Sequence, residues 1–259
     1  MSSVVIRAEG LSKCYNVRAV SLKRDLFGGA ILDMALTAFS ARQKRHDVVW
    51  ALKDVSFQVN AGEAIGFVGA NGAGKSTLLK ILCRVTEPTS GEAEISGKLG
   101  SLLEVGAGFH PELTGRENVY LNGSILGMKQ REINRRFDEI VDFSGIEKLI
   151  DKPVKYYSTG QYMRLGFAVA AHLGQDILII DEVLAVGDAA YRTKCRGKME
   201  SLLYEGKTII VVAHDAEFIE RTCRRVGWLK NGMLQGFGEM ASVLEAYKQE
   251  SEANLAAAT

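Results

Sequence analysis

No stretch of the 259-residue chain approaches the 18 or so consecutive apolar residues that a membrane-crossing helix needs. A bilayer-spanning role is therefore not expected. An excess of charge of one sign is missing too: 32 Lys and Arg stand against 31 Asp and Glu, for a formal net charge of +1. No global field draws the chain to nucleic acid or to an anionic membrane, although local basic patches remain open. Cysteine is sparse. The four, Cys14, Cys83, Cys195 and Cys223, are scattered with no C-x-x-C pair, which argues for reduced structural thiols in a cytosolic protein. A disulfide framework and a zinc site are disfavoured. The start, Met1-Ser2-Ser3-Val4-Val5-Ile6-Arg7, lacks the charged opening and long apolar core of a signal peptide. What is present, 47% hydrophobic and 24% charged residues, is the composition of a soluble globular protein with a sizeable core. The length allows one large domain or two small ones.

The chain is organised around Gly69-Ala70-Asn71-Gly72-Ala73-Gly74-Lys75-Ser76-Thr77, which fits G-x-x-x-x-G-K-[ST], the phosphate-binding loop of P-loop NTPases. Ala64-Ile65-Gly66-Phe67-Val68 before it reads as a buried strand, and Leu78, Leu79, Ile81 and Leu82 after it recur at helical spacing. The motif thus sits at a turn from strand into helix, where its chemistry requires it. Glycines let backbone N–H groups approach phosphate oxygens, and the positive end of the following helix completes an anion site. Lys75 is expected to reach the β- and γ-phosphates of a nucleotide, and the Ser76 hydroxyl to ligate Mg²⁺.

Elsewhere, Val4–Ala8 reads as a first strand ending near Gly10, and 51–59 as a second, alternating Val55, Phe57 and Val59 against Ser56 and Gln58. Between them lies an insertion, 16–49, with basic ends (Arg18, Lys23, Arg24; Arg42, Lys44, Arg45) and an apolar centre, Leu26–Phe39. Two readings stay open for it: a solvated insertion with a short helix packed on its own domain, or an amphipathic element touching a membrane surface or partner helix. Short strands are expected at 91–95 and 99–103. A largely helical segment, about 105–173, follows, with capping-box spacing at Thr114 and Glu117 and an apolar face of Ile133, Phe137, Ile140 and Val141. Asp176–Asp181 reads as a buried central strand running into the carboxylates Asp181 and Glu182, and Thr208–Ala213 as another ending at His214. Ligands of open α/β sheets bind beyond the carboxyl ends of strands, so these groups and the phosphate loop are expected to converge. A hairpin turning at Asn231-Gly232, a helix near 243–250 and an Ala-rich tail, 251–259, complete the chain.

With these residues in hand, the sequence resembles the ATP-binding cassette (ABC) ATPases over nearly its whole length. Tyr157-Ser158-Thr159-Gly160-Gln161 matches the cassette signature, usually LSGGQ, with Tyr and Thr as departures. Taken alone, those residues read as a polar loop. The resemblance implies an α/β fold: a P-loop NTPase (RecA-like) core with an antiparallel β subdomain and an inserted helical subdomain, all one domain over 1–250. It implies ATP and Mg²⁺ as cofactors, with Ser76 and Asp181 at the metal, Glu182 as general base and His214 at the γ-phosphate. Tyr15 resembles the adenine-stacking aromatic. Ser158, Thr159, Gly160 and Gln161 resemble the segment that meets ATP held by a second copy in a head-to-tail dimer, and Asp188 the loop that crosses that interface. Where many cassettes carry a glutamine, Glu104 is the nearest candidate for the magnesium and coupling position.

Glu104–Asn118 and Asp181–Asp188 look like the ATPase subunits of polysaccharide exporters that serve O-antigen, capsule or teichoic acid. Val183 stands where most cassettes have proline, consistent with that subfamily. Similar proteins carry a long insertion after the first strand, near the membrane. Some add a C-terminal carbohydrate-binding domain, which this chain is not expected to use. The resemblance implies a peripheral protein at the cytoplasmic face of the cell membrane, pairing with a second copy of itself beneath an integral membrane subunit. Lipid-linked polysaccharide would be the cargo, and nucleic acid is no partner. The alternatives are the ATPase of another ABC exporter or importer, and a soluble cassette protein outside transport. The latter usually has two cassettes, a coiled coil or a zinc insertion, none of which is seen.

Overall fold

A computed structural model describes residues 3–17, 47–101, 108–172, 174–181, 188–212 and 216–257. Among the described residues nine strands form two sheets. β1 (Val4–Val17), β2 (Asp47–Asn60) and β4 (Ser90–Ile95) make an antiparallel sheet in the order β2-β1-β4. The second sheet runs β5-β6-β7-β3-β8-β9, from β3 (Ala64–Val68), β5 (Leu99–Ser101), β6 (Ile177–Asp181), β7 (Thr208–Val212), β8 (Arg225–Lys230) and β9 (Met233–Glu239). All its neighbours pair parallel except β8 and β9, the hairpin, whose turn residues Asn231 and Gly232 both take positive φ.

The central strands read as nearly unbroken apolar runs because both faces of the sheet are covered. Ile65, Phe67, Ile179, Ile210 and Val212 face one core, shared with Ile6, Leu11 and Leu52 of the antiparallel sheet and with Leu78, Leu79 and Leu82 of α1 (Lys75–Leu82). Ala64, Val68, Ile180 and Val211 face the other, packed with Leu165 and Phe167 of α4 (Thr159–Ala171) and Met199 of α5 (Ala189–Tyr204). Between the sheets' strands in sequence lies the helical subdomain: α2 (Gly115–Ile125), α3 (Gln130–Ser144), two short 3-10 turns and α4. α6 (Ala216–Thr222) and α7 (Met240–Ala257) complete the set.

The helical subdomain starts as its sequence predicts. Thr114 accepts a hydrogen bond from the Glu117 amide while Glu117 reaches back to the Thr114 amide, satisfying two end groups of α2. Gly115 has a packing reason to be there: a Cβ would lie 2.2 Å from the Tyr157 hydroxyl. Tyr157 donates to the Leu149 carbonyl at 2.7 Å, and burial together with nearby Asp151 pushes its phenol up to about 12.

Three expectations move. β1 does not stop near Gly10 but bends through it, with register shifts between Ala8 and Lys13, and continues to Val17. Residues 16–17 and 47–49, expected as the ends of the insertion, are strand residues paired Asn16 with Val48 and Val17 with Asp47. Residues 18–46 lie outside the described residues, as does the apolar centre Leu26–Phe39. The short strands expected at 91–95 and 99–103 are present as β4 and β5, β4 pairing with β1 and β5 with β6, while residues 102–103 lie outside the described residues. The Ala-rich tail is helical to Ala257, since Ala, Glu and Leu are strong helix formers that continue α7.

Candidate functional site

The phosphate loop leaves β3 after Val68 and enters α1 at Lys75. Gly74 caps that helix at φ 109°, and a Cβ there would sit 2.4 Å from the Ala51 carbonyl oxygen of β2. Glycine lets the loop press onto the antiparallel sheet. The β8–β9 turn holds the loop from another side: Gly232 N–H donates to the Ala73 carbonyl at 3.0 Å, and Lys53 N–H donates to the Gly232 carbonyl at 2.8 Å. Ala70, Asn71 and Gly72 form an exposed rim, whereas Ala73, Gly74 and Lys75 are buried. Lys75 folds back over the loop, its Nζ donating to the carbonyls of Gly69 at 2.6 Å and Ala70 at 3.0 Å. The first turn of α1 itself carries no acidic residue to oppose an anion at its positive end. Ser76, second in α1, is exposed, and Thr77 is half-buried.

Sheet register brings the second group of residues alongside. Phe67 of β3 pairs with Val212 of β7, which pairs with Asp181 of β6. Asp181 therefore ends its strand level with the loop and two strands away, about 10 Å at the usual strand spacing. Glu182, next after Asp181, and His214, two residues after Val212, lie outside the described residues, as does Glu104. A serine hydroxyl and an aspartate carboxylate are the hard oxygen donors that Mg²⁺ takes alongside phosphate oxygens and water. Tyr15 sits on β1 opposite Val49, two residues along β2 from the Ala51 that abuts Gly74. Tyr15 is 40% exposed, with Lys13 Nζ 5.3 Å from the ring centroid.

The signature residues are not a loop but a helix start. Ser158 caps α4, its Oγ accepting from the Gln161 amide at 3.2 Å while Gln161 Oε1 accepts from the Ser158 amide at 2.8 Å. The S-x-x-Q spacing is the capping-box signal that could have found it. Ser158 and Thr159 are exposed and Gly160 and Gln161 half-buried, so this second helix N-terminus also faces outward. The cavity of about 280 Å³ against Ala70–Ala73 is walled by the end of β8 and by α7, and no signature residue lines it.

Asp188 caps α5. Its Oδ1 accepts from the Tyr191 amide at 2.8 Å and its Oδ2 pairs with Arg164 of α4 at 2.9 Å. The backbone amide first, then the guanidinium, hold this carboxyl below the usual range. Within one copy both oxygens are thus engaged by the chain itself. Arg164, which the sequence reading passed over, also lies over the Tyr191 ring, 4.8 Å from its centroid. It ties the helix that starts at the signature to the helix that starts at Asp188. No local pattern announces such a pair.

A family model described as ABC transporter matches residues 52–185. The chain belongs to the ABC transporter family. The matched span of this ABC protein runs from β2 through the end of β6, taking in the phosphate loop, the signature and Asp181. The O-antigen export system ATP-binding protein RfbB of Klebsiella pneumoniae is 46% identical over 199 residues, 77% of this chain and 81% of that one. The teichoic acids export ATP-binding protein TagH of Enterococcus faecalis is 44% identical over 217 residues, 84% of this chain but 48% of that longer protein. Among solved structures, a dimeric ATP-binding cassette in a post-hydrolysis state, bound to ADP and Pi, superposes with a TM-score of 0.70 at 23% identity, covering 91% of this chain and 98% of the other. That likeness fixes the fold: an ABC cassette with its antiparallel and helical subdomains. Among the described residues no helix is long and apolar enough to cross a membrane.

Proposed function

We propose that the chain is the ATP-hydrolysing subunit of an ABC exporter that moves a lipid-linked polysaccharide across the cytoplasmic membrane. The observation that carries this reading is a phosphate loop in register with a strand-end aspartate, in a chain 44–46% identical to O-antigen and teichoic acid export ATP-binding proteins. O-antigen, capsule and teichoic acid share the chemistry of a long glycan on a lipid carrier. The subunit works at the cytoplasmic face beneath an integral membrane partner. An apolar strip on α2, with Leu121 36% and Ile125 60% exposed and Gly108 against the Ile125 side chain, suits a short helix of that partner.

Catalysis is assigned residue by residue. Lys75 and the loop amides hold the phosphates, and Tyr15 stacks the base. When Mg²⁺ is bound, Ser76 and Asp181 hold it, with Glu104 as a further oxygen donor, and it neutralises charge on the β- and γ-phosphates. Glu182 draws the proton from the attacking water, and His214 fixes the γ-phosphate geometry. Two copies pack head to tail, so that Ser158, Gly160 and Gln161 of each close over the nucleotide of the other. The outward-facing signature helix and the cavity it does not line support this arrangement. Glu182→Gln should keep ATP affinity and slow hydrolysis by about 10²–10⁴-fold, the usual scale for a general base. Lys75→Ala should instead weaken binding, because the charge-assisted contact to phosphate is lost. Fluorescent-nucleotide titration beside single-turnover hydrolysis separates the two. Wild-type turnover in the Glu182 variant, or equal affinity in both, would refute the roles.

A further inference from the structure

The C-terminal helix does not merely end the fold. α7 stands against the phosphate loop: Tyr247, Glu250 and Ser251 share one cavity with Ala70–Ala73 and with Trp228–Asn231 at the end of β8. Two side-chain contacts join α7 to that strand end. Glu250 forms an ion pair with Lys230, and the Trp228 and Tyr247 rings meet edge to face with centroids 6.0 Å apart. From Lys230 the connection to the loop is short. The next residues, Asn231 and Gly232, form the turn whose Gly232 amide donates to Ala73, and the Leu229 carbonyl oxygen abuts Gly69, 2.3 Å from where a Cβ would be. One strand end thus braces the loop at both its beginning and its end, and α7 braces that strand end.

We propose that Glu250, acting through Lys230, is a positioning residue for the phosphate loop, so that α7 helps set nucleotide affinity. Lys230 is half exposed and Glu250 half-buried at the rim of the cavity. Held by Glu250, the Lys230 side chain lies along α7, and the turn that follows it keeps Gly232 aimed at Ala73. Freed, the turn and the loop gain conformations that must be lost when phosphate binds, and this appears as weaker binding. The chemistry at the γ-phosphate is untouched, because neither Glu250 nor Lys230 has a role there in the assignment above. The inference rests on the phosphate loop binding ATP.

The test is a double-mutant cycle on the full chain: Glu250→Gln, Lys230→Gln and both together, read by titration with a fluorescent ATP analogue and by steady-state hydrolysis. Each single change should raise Kd and KM for ATP about three- to fivefold, the scale of one partly exposed ion pair, with kcat held within about twofold. The double variant should be no weaker than the singles, since they remove the same contact. Unchanged Kd in Glu250→Gln overturns the proposal, even if the melting temperature falls. So do additive losses in the double variant, which would mean that Lys230 touches nucleotide by itself. Failure of the unmodified chain to bind ATP would instead overturn the underlying reading, and is told apart by that first titration.

Discussion

Replacing Gly74 by alanine offers a sharp test of how the phosphate loop is held. Two costs arise. Residue 74 sits at φ 109°, a conformation that side chains rarely adopt, for about 1–3 kcal/mol. The added Cβ would then lie 2.4 Å from the Ala51 carbonyl oxygen and 2.9 Å from Leu52 Cδ2. An ordinary C···O contact is about 3.3 Å or more, so β2 and the loop must separate by about 1 Å. Leu52 is fully buried in the core that includes α1, and the separation opens it, an overpacking cost of about 1–3 kcal/mol. Together the change should remove about 4 kcal/mol, or about 8–16 °C in Tm for a domain of this size. Gly72→Ala is the control. Gly72 also has positive φ, but a Cβ there meets nothing within 4 Å, so only the backbone term, about 1–2 kcal/mol, applies. Thermal melts by circular dichroism, run on both variants, should show at least twice the loss for Gly74→Ala. Equal losses would refute the claim that contact with β2 fixes the loop.

Ser158→Ala removes the oxygen that caps α4 and should cost about 1 kcal/mol in urea unfolding; no change in stability would contradict the capping role. Burial pushes the thiols of Cys195 and Cys223 up to about 12, so both stay protonated at pH 8. Iodoacetamide at that pH should spare them in the folded chain and label them in urea, as read by mass mapping; fast native labelling would contradict their placement. Because Val17 pairs with Asp47, a turn of about two to five residues can replace 18–46 without disturbing the sheet. That deletion should leave ATP binding intact and abolish polymer export in cells. Full export would assign the basic-flanked segment no role in transport.

Some of this protein was legible from one sequence because the information is local. G-x-x-x-x-G-K-S carries its own backbone geometry, and a short unbroken run rich in isoleucine such as Ile177–Ile180, ending in carboxylates, fits a strand covered on both faces. The Thr114–Glu117 capping box lies within four residues, and so does the Ser158–Gln161 box, although its polar residues taken alone read as a loop. α5 escaped because its buried stripe, Tyr191, Cys195, Met199 and Leu202, mixes residue types that give little periodic contrast against their neighbours. The pairs that hold the site together lie beyond any such pattern. Strand order set Phe67, Val212 and Asp181 in one row, and the placing of α4 against α5 brought Arg164 to Asp188. Folding alone laid the β8–β9 turn on Ala73 and α7 on the strand end that precedes it. Periodicity tells which face of an element is apolar; which element covers that face is decided by packing, and only there do residues far apart in the chain acquire a shared chemistry.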